Sequence, residues 1–266
     1  MNKIAFIGAG NMASAICGGI ISASTAMPSD IILYDKLTEQ YSKFDPSCKH
    51  AGTIAEAVEF ANFIFFSVKP QNIKDVLSEI SKIDISDKVF ISICAGITIE
   101  SIEKILGKAK IVRTMPNTPL LIGQGVTALC RNDKVSDDEF AFATSLFATS
   151  GYTTEAKEED INKITAITSS SPAYVYLFAK AMLDGARQIG FDGENALEMI
   201  CKTLIGSANM ILNDTRSVDD LIKMVKSPNG TTERALNVFE DKKFVEIVAE
   251  AMEACVKRAD ELAKLN

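Results

Sequence analysis

The sequence predicts an α/β N-terminal half built on a doubly wound parallel sheet, followed by an all-α C-terminal half. Three observations carry this expectation. Short apolar runs alternate with helical segments through residue 157. Most of these runs are apolar at consecutive positions, as strands covered on both faces are. From Glu158 onward apolar residues recur at three-four spacing and no strand candidate is present. The chain therefore divides into 1–157 and 158–266.

In the first segment "IAFIG" (4–8), "IILYD" (31–35), "FIFFSV" (63–68), "VFISIC" (89–94) and "KIVRT" (110–114) are strand-like: short, β-branched or aromatic, and ended by turn residues. "NMASAICGGIISAS" and "QNIKDVLSEISKI" are helical stretches between them. "GVTALCRN" and "SGYTTEA" add later strands around a helix through "DDEFAFATSLFATS". The second segment opens on "INKITAITSSSPAYVYLFAKAMLDGARQIG", a long helix with a serine-rich notch, and continues through four further helical stretches. The last carries Phe244, Val245, Val248, Ala251, Met252, Cys255 and Val256 near one face. That surface is buried either within one subunit or between subunits.

Composition narrows the function. With 266 residues and 47% hydrophobic content, the chain can form a full core without staples. A net charge of -7 argues against a nucleic-acid partner. No run approaches the roughly 18 apolar residues of a membrane span. "MNKIAFIG" lacks the apolar core of a signal peptide and breaks at glycine. Six cysteines without CxxC spacing indicate reduced thiols and a cytoplasmic protein. No metal site is expected, because the sole histidine, His50, stands apart from any cluster and reads as a surface-loop residue.

"GAGNMA" places Gly8, Gly10 and Ala13 directly after the first strand and at the opening of a helix. In that context GxGxxA is a dinucleotide-binding loop of a Rossmann-like domain. Gly8 permits the tight turn, Gly10 lets a pyrophosphate approach, and Ala13 allows close helix–strand packing. The leading amides of the helix, from Asn11 and Met12, favour the phosphate charge. Asp35, at the end of the second strand, is placed to accept from an adenosine ribose and repel a 2′-phosphate, which favours NADH. Lys36 beside it offsets part of that repulsion, so NADPH stays open. Ser67, Val68, Lys69 and Pro70 follow the third strand, and Ala95 and Gly96 follow the fourth. Both groups lie at carboxyl ends of strands, where such sheets bind ligands. "RTMPNTPLLIGQG" brackets Asn117 with two prolines. It reads equally as a rigid connector or as a loop beside the nicotinamide.

Six motifs in order, "IGAGNMA", "VKPQ", "CAGIT", "RTMPNTP", "SSSPAYVY" and "SPNGTTERAL", make the whole chain resemble the pyrroline-5-carboxylate reductases. The resemblance implies a Rossmann domain with an all-α C-terminal dimerisation domain, helical domains interlocked in a homodimer or a larger assembly, and reduction of 1-pyrroline-5-carboxylate to proline with NADPH or NADH. The chain departs from the family pattern at Ser169 and Ser171, where glycines are usual, at Asn229, which replaces a glycine, and at Lys226, where a small residue is usual. Asn is the best non-glycine residue where φ is positive.

Gly230, Thr231 and Thr232 lead into "TERALNVFE", so their amides form an anion site at a helix start. The same residues are ordinary caps when taken alone; the resemblance assigns them to the substrate. Ser227, Gly230, Thr231 and Thr232 are expected around the small-molecule substrate, with Thr232 at the ring nitrogen and Ser170 and Ser171 contributing from the notch. Three other readings compete. A β-hydroxyacid dehydrogenase would need a glycine-rich helix start and an earlier lysine than Lys180. A reductase of another cyclic imine shares the same chemistry. A non-catalytic nucleotide sensor would have no use for "SPNGTT".

Overall fold

The computed structural model describes residues 2–265, with the side chains of 264 and 265 excepted; Met1 and Asn266, the outer ends of the two segments, lie outside the described residues. The chain forms two compact units, one of residues 1–170 with 254–266 and one of residues 171–253.

The first unit is built on strands β1 (Ile4–Ile7), β2 (Ile31–Tyr34), β3 (Lys49–His50), β4 (Phe63–Phe66), β5 (Val89–Ser92), β6 (Lys110–Met115), β7 (Gly125–Arg131) and β8 (Gly151–Glu155). Among the described residues they form one sheet in the order β3-β2-β1-β4-β5-β6-β7-β8. Helices α1 (Asn11–Ser22), α2 (Ile54–Phe60), α3 (Ile73–Ile80), α4 (Ile99–Leu106) and α5 (Asp137–Ala148) make the crossovers, and α6 (Glu158–Ile164) follows β8. The helix starts follow local chemistry. Thr53 accepts from the Glu56 amide, Thr98 from the Ser101 amide, and Ser136 with Glu139 makes a reciprocal capping box.

Alternation along each strand separates two cores. Ala5, Ile7, Ile64, Phe66, Phe90 and Ile111 face one layer, with residues of α2, α3, α4 and α6. Ile4, Phe6, Phe65, Ile91 and Val112 face the other, with residues of α1 and α5. Each fully buried side chain of this size contributes about 2 kcal/mol. Burial on both faces explains why the strands are apolar without interruption.

The sheet differs from a purely parallel one in one place. β7 runs antiparallel to β6, with Arg113 opposite Cys130. Residues 116–124 are too few for a helical crossover, so the chain reverses between β6 and β7. β8 then returns parallel to β7 through α5. His50 is exposed as expected but belongs to edge strand β3, not to a loop, and its ring stacks on Tyr41 at 4.2 Å.

The second unit holds α7 (Ser171–Gln188), α8 (Ala196–Asn213), α9 (Val218–Val225), α10 (Thr231–Asp241) and the first part of α11 (Phe244–Leu265). The serine-rich notch is a π turn, Thr165–Ser169, between α6 and α7. Periodicity changes at 157/158, whereas compactness divides the chain at Ser170. α6 packs into the sheet's core through Ile161, and Ala166 of the π turn is also buried.

Candidate active site

A cleft of about 530 Å³ opens at the carboxyl ends of β1, β2 and β4. Gly8, Gly10, Asp35, Ser67, Val68 and Lys69, all expected there, line it, together with Asn72, Asp75, Val76 and Glu79 from the α3 side. These last four have no fixed position in a nucleotide motif; only the cleft itself reveals them.

The two loop glycines have different reasons to be glycine. Gly8 has φ +101°, and a Cβ there would lie 2.6 Å from the Ser67 carbonyl carbon and oxygen. The Ser67 hydroxyl in turn donates to the carbonyls of Gly8 at 2.6 Å and Ile7 at 3.1 Å. The loop is thus pressed onto the end of β4. A Cβ on Gly10 would meet nothing within 4 Å. That open space, and a helix α1 whose start carries no side-chain cap, leave amides available to an anion. Asn11 begins α1 and its side chain accepts from Lys43 Nζ at 2.7 Å, a cation the sequence motif does not include. Met12 is half-buried against the core.

Asp35 is more than a strand end. Its Oδ2 accepts from the Ala9 amide at 2.7 Å and its Oδ1 from the Leu37 amide at 2.9 Å. Its backbone amide donates to the Tyr41 hydroxyl at 3.0 Å. The carboxylate braces the glycine loop while its charge remains at the cleft.

The loops after β4 and β5 are joined by Cys94. Its thiol donates to the Val68 carbonyl at 3.2 Å and to the Phe66 carbonyl at 3.4 Å, and burial pushes its pKa up to about 12. It is a neutral donor and not a nucleophile. Pro70 starts a short 3₁₀ turn, Pro70–Asn72, that leads into α3. Ala95 is exposed. Gly96 has φ +73°, it is buried, and a Cβ on it would lie 3.0 Å from Leu262 Cβ. The missing side chain makes room for α11. Asn117 is held by polar contacts on both sides. It is 7% exposed, donates to the Thr168 carbonyl at 2.9 Å and accepts from the Val126 amide at 2.8 Å, so its side chain is committed inside the protein.

Sequence reasoning missed Arg113. It is 2% exposed on β6 and reaches Glu158 at 3.3 Å and Asn162 at 2.9 Å, both on α6. Burying a guanidinium is costly unless it is paired and hydrogen-bonded. A lone arginine inside a strand pattern gave no signal of that pairing.

In the helical unit the Ser227–Gly230 segment closes a turn, with the Gly230 amide donating to the Ser227 carbonyl at 3.0 Å. Pro228 stands second and Asn229 third with φ +58°, the residue pattern of a type II turn. The positive φ anticipated for Asn229 is present. Gly230 caps α10 without a side chain, and a Cβ there would lie 2.2 Å from Ser227 Oγ. Thr231 and Thr232 are the first two residues of α10. Glu233, which the motif reading passed over, locks the turn: it accepts from the Asn229 amide at 2.8 Å and pairs with Lys226 at 3.8 Å. Lys226 is thereby turned to a carboxylate of its own chain. Directly after the π turn, Ser170 Oγ lies 3.2 Å from Cys255 Sγ. Ser171 begins α7.

The glycine loop, the strand order and the cleft define a dinucleotide-dependent oxidoreductase with a Rossmann sheet and a helical C-terminal part. Two family descriptions match: "pyrroline-5-carboxylate reductase dimerisation" over residues 158–262 and "NADP oxidoreductase coenzyme F420-dependent" over residues 3–96. The chain is 36% identical to pyrroline-5-carboxylate reductase of Escherichia coli K12, over 98% of each chain. It is 32% identical to pyrroline-5-carboxylate reductase 2 of Bacillus subtilis, over 98% of this chain and 95% of that one. The crystal structure of Plasmodium falciparum pyrroline carboxylate reductase with NADP bound superposes with a TM-score of 0.91 at 30% identity, covering 98% of both chains. The chain belongs to the pyrroline-5-carboxylate reductase family.

Proposed function

We propose that the protein reduces the C=N bond of 1-pyrroline-5-carboxylate to give L-proline, the last step of proline biosynthesis. The observation that carries this reading is the pairing, in one chain, of a dinucleotide loop with an uncapped helix start behind Ser-Pro-Asn-Gly-Thr-Thr. NADPH or NADH, when bound, supplies the hydride. The glycine loop from Gly8 to Met12 takes the pyrophosphate, and Asp35, Ser67, Val68, Lys69 and Pro70 shape the rest of the cofactor site. Thr231 and Thr232 hold the substrate carboxylate through amides that have no partner within the helix, and Gly230, whose own amide closes the turn onto Ser227, lets the carboxylate approach the backbone. Ser227, Ser170 and Ser171 add hydroxyl contacts, and Thr232 aligns the ring nitrogen.

No strong general acid is needed. The only histidine is stacked on Tyr41 at the sheet edge, and the imine is basic enough to take its proton from solvent. Catalysis is then mostly orientation of two reactants, which supplies several kcal/mol. Oxidation of NAD(P)H followed by absorbance, with pyrroline-5-carboxylate added, tests the reading. Turnover is expected with the imine. Activity confined to a 3-hydroxy acid and oxidised cofactor would contradict it.

Asp35 favours NADH through its charge. Replacing it by serine is expected to raise the NADPH-to-NADH ratio of kcat/KM about tenfold, the scale of one screened charge contact. Absolute kcat/KM with either cofactor should fall as well, because the brace on the Ala9 amide is lost. An unchanged ratio would remove Asp35 from cofactor choice.

Residues 158–266 act as the substrate and homodimerisation domain. In residues 171–253 only Ala196 and Ile200 among the described apolar side chains are buried, and Leu177, Ile205, Leu212 and Val245 are more than half exposed. A second copy of this segment covers such surface, and a larger assembly can be built from the dimer. No helix among the described residues is long and apolar enough to cross a membrane. The cysteines are free, which supports a cytoplasmic site of action.

A further inference from the structure

We infer that Asn117 is a positioning residue that clasps the π turn and so sets Ser169 and Ser170; the inference rests on reading the chain as an imine reductase. A π turn leaves carbonyls out of the regular helical ladder. Here the Ser170 amide bonds to the Thr165 carbonyl at 2.9 Å, five residues back, and the Thr168 carbonyl is taken by Asn117 Nδ2 at 2.9 Å. The other end of the same amide accepts from the Val126 amide at 2.8 Å, which fixes its orientation from the opposite side. The Ser169 hydroxyl donates to the Pro116 carbonyl at 3.1 Å. Two adjacent residues of the loop thus hold two adjacent residues of the turn.

The approach to the turn is held in the same way. Arg113, on the strand that leads into this loop, binds Glu158 and Asn162 of α6. Glu158 also accepts from the Ile99 amide at 2.7 Å, and Asn162 donates to Asp260 of α11 at 2.8 Å. A π turn without such anchors would relax toward regular helix and rotate the serines that follow. The rigid-connector reading of the proline-bracketed loop therefore gains a purpose: the loop is a template for the turn.

The isosteric Asn117→Asp change tests this. The acceptor for Val126 is kept, but an oxygen replaces the donor and faces the Thr168 carbonyl. The KM for pyrroline-5-carboxylate is expected to rise about tenfold, the loss of roughly one good hydrogen bond, with NAD(P)H Kd unchanged within about twofold. Hydrogen exchange of residues 165–170 is expected to speed up while the sheet is unaffected. A cofactor Kd that rises with KM would overturn the inference in favour of direct cofactor contact. Unchanged KM and exchange would overturn it outright. If the variant does not fold, Ser169→Ala decides: faster exchange of the same segment and about a threefold higher KM are expected, and wild-type values would overturn the clasp. If the unaltered protein does not reduce the imine, the functional reading falls, and the exchange measurement alone judges the clasp.

Discussion

Replacing Thr232 by alanine is expected to lower kcat ten- to a hundredfold, on the basis that a hydrogen bond to a charged group contributes about 1.5–3 kcal/mol. Thr232 is the second residue of α10, and Gly230 before it has no side chain with which to cap the helix. The Thr231 and Thr232 amides are therefore open to an anion, and the proposed reaction puts the substrate carboxylate there. In that proposal the hydroxyl beside them orients the protonated ring nitrogen but is too weak an acid to deliver the proton itself. Loss of that alignment slows hydride transfer without touching the glycine loop. NAD(P)H binding, followed by nicotinamide fluorescence, should change less than about twofold. Thr232→Ser keeps the hydroxyl and should recover most of the rate. A kcat unchanged in the alanine variant would take Thr232 out of the mechanism.

The glycine loop gives the second large effect, and it splits between two neighbours. Gly8→Ala is expected to destabilise the protein by about 2–4 kcal/mol, because a positive φ is combined with a backbone overlap. The added carbon would sit 2.6 Å from the Ser67 backbone, and neither strand end can yield without disturbing β1 or β4. Gly10→Ala should leave the melting temperature nearly unchanged, because its Cβ points into open space. It should raise the cofactor Kd at least about tenfold, the cost of keeping a pyrophosphate from the helix start. Thermal unfolding and cofactor titration of the two variants check this. Equal stability losses in both, or full cofactor affinity in Gly10→Ala, would contradict the assignment.

Much of this architecture could be read from local pattern. The strands of the sheet announced themselves because burial on both faces leaves uninterrupted apolar runs such as "FIFF". The glycine loop was legible because its spacing reflects a turn, a close approach and a helix start within six residues. Asn229 was legible because few residues tolerate its φ. What escaped depends on partners distant in sequence. The reversal at β7 is set by the short link that joins it to β6. Lys49 and His50 form a strand only because Ile32 and Leu33 lie beside them. The packing neighbour of Gly96 is Leu262, 166 positions later, which no local pattern indicates. The Asn117 amide turns inward to Thr168 and Val126, and nothing in its own loop announces either partner. The π turn left only a run of serines as a trace, since the extra residue in such a turn has no side-chain code.

The most direct test is a crystal structure of the protein soaked with L-proline and oxidised cofactor. The carboxylate is expected on the Thr231 and Thr232 amides beside Gly230, with the ring nitrogen at the Thr232 hydroxyl and the ring facing the nicotinamide. Proline bound away from both the α10 start and the nicotinamide would contradict the account.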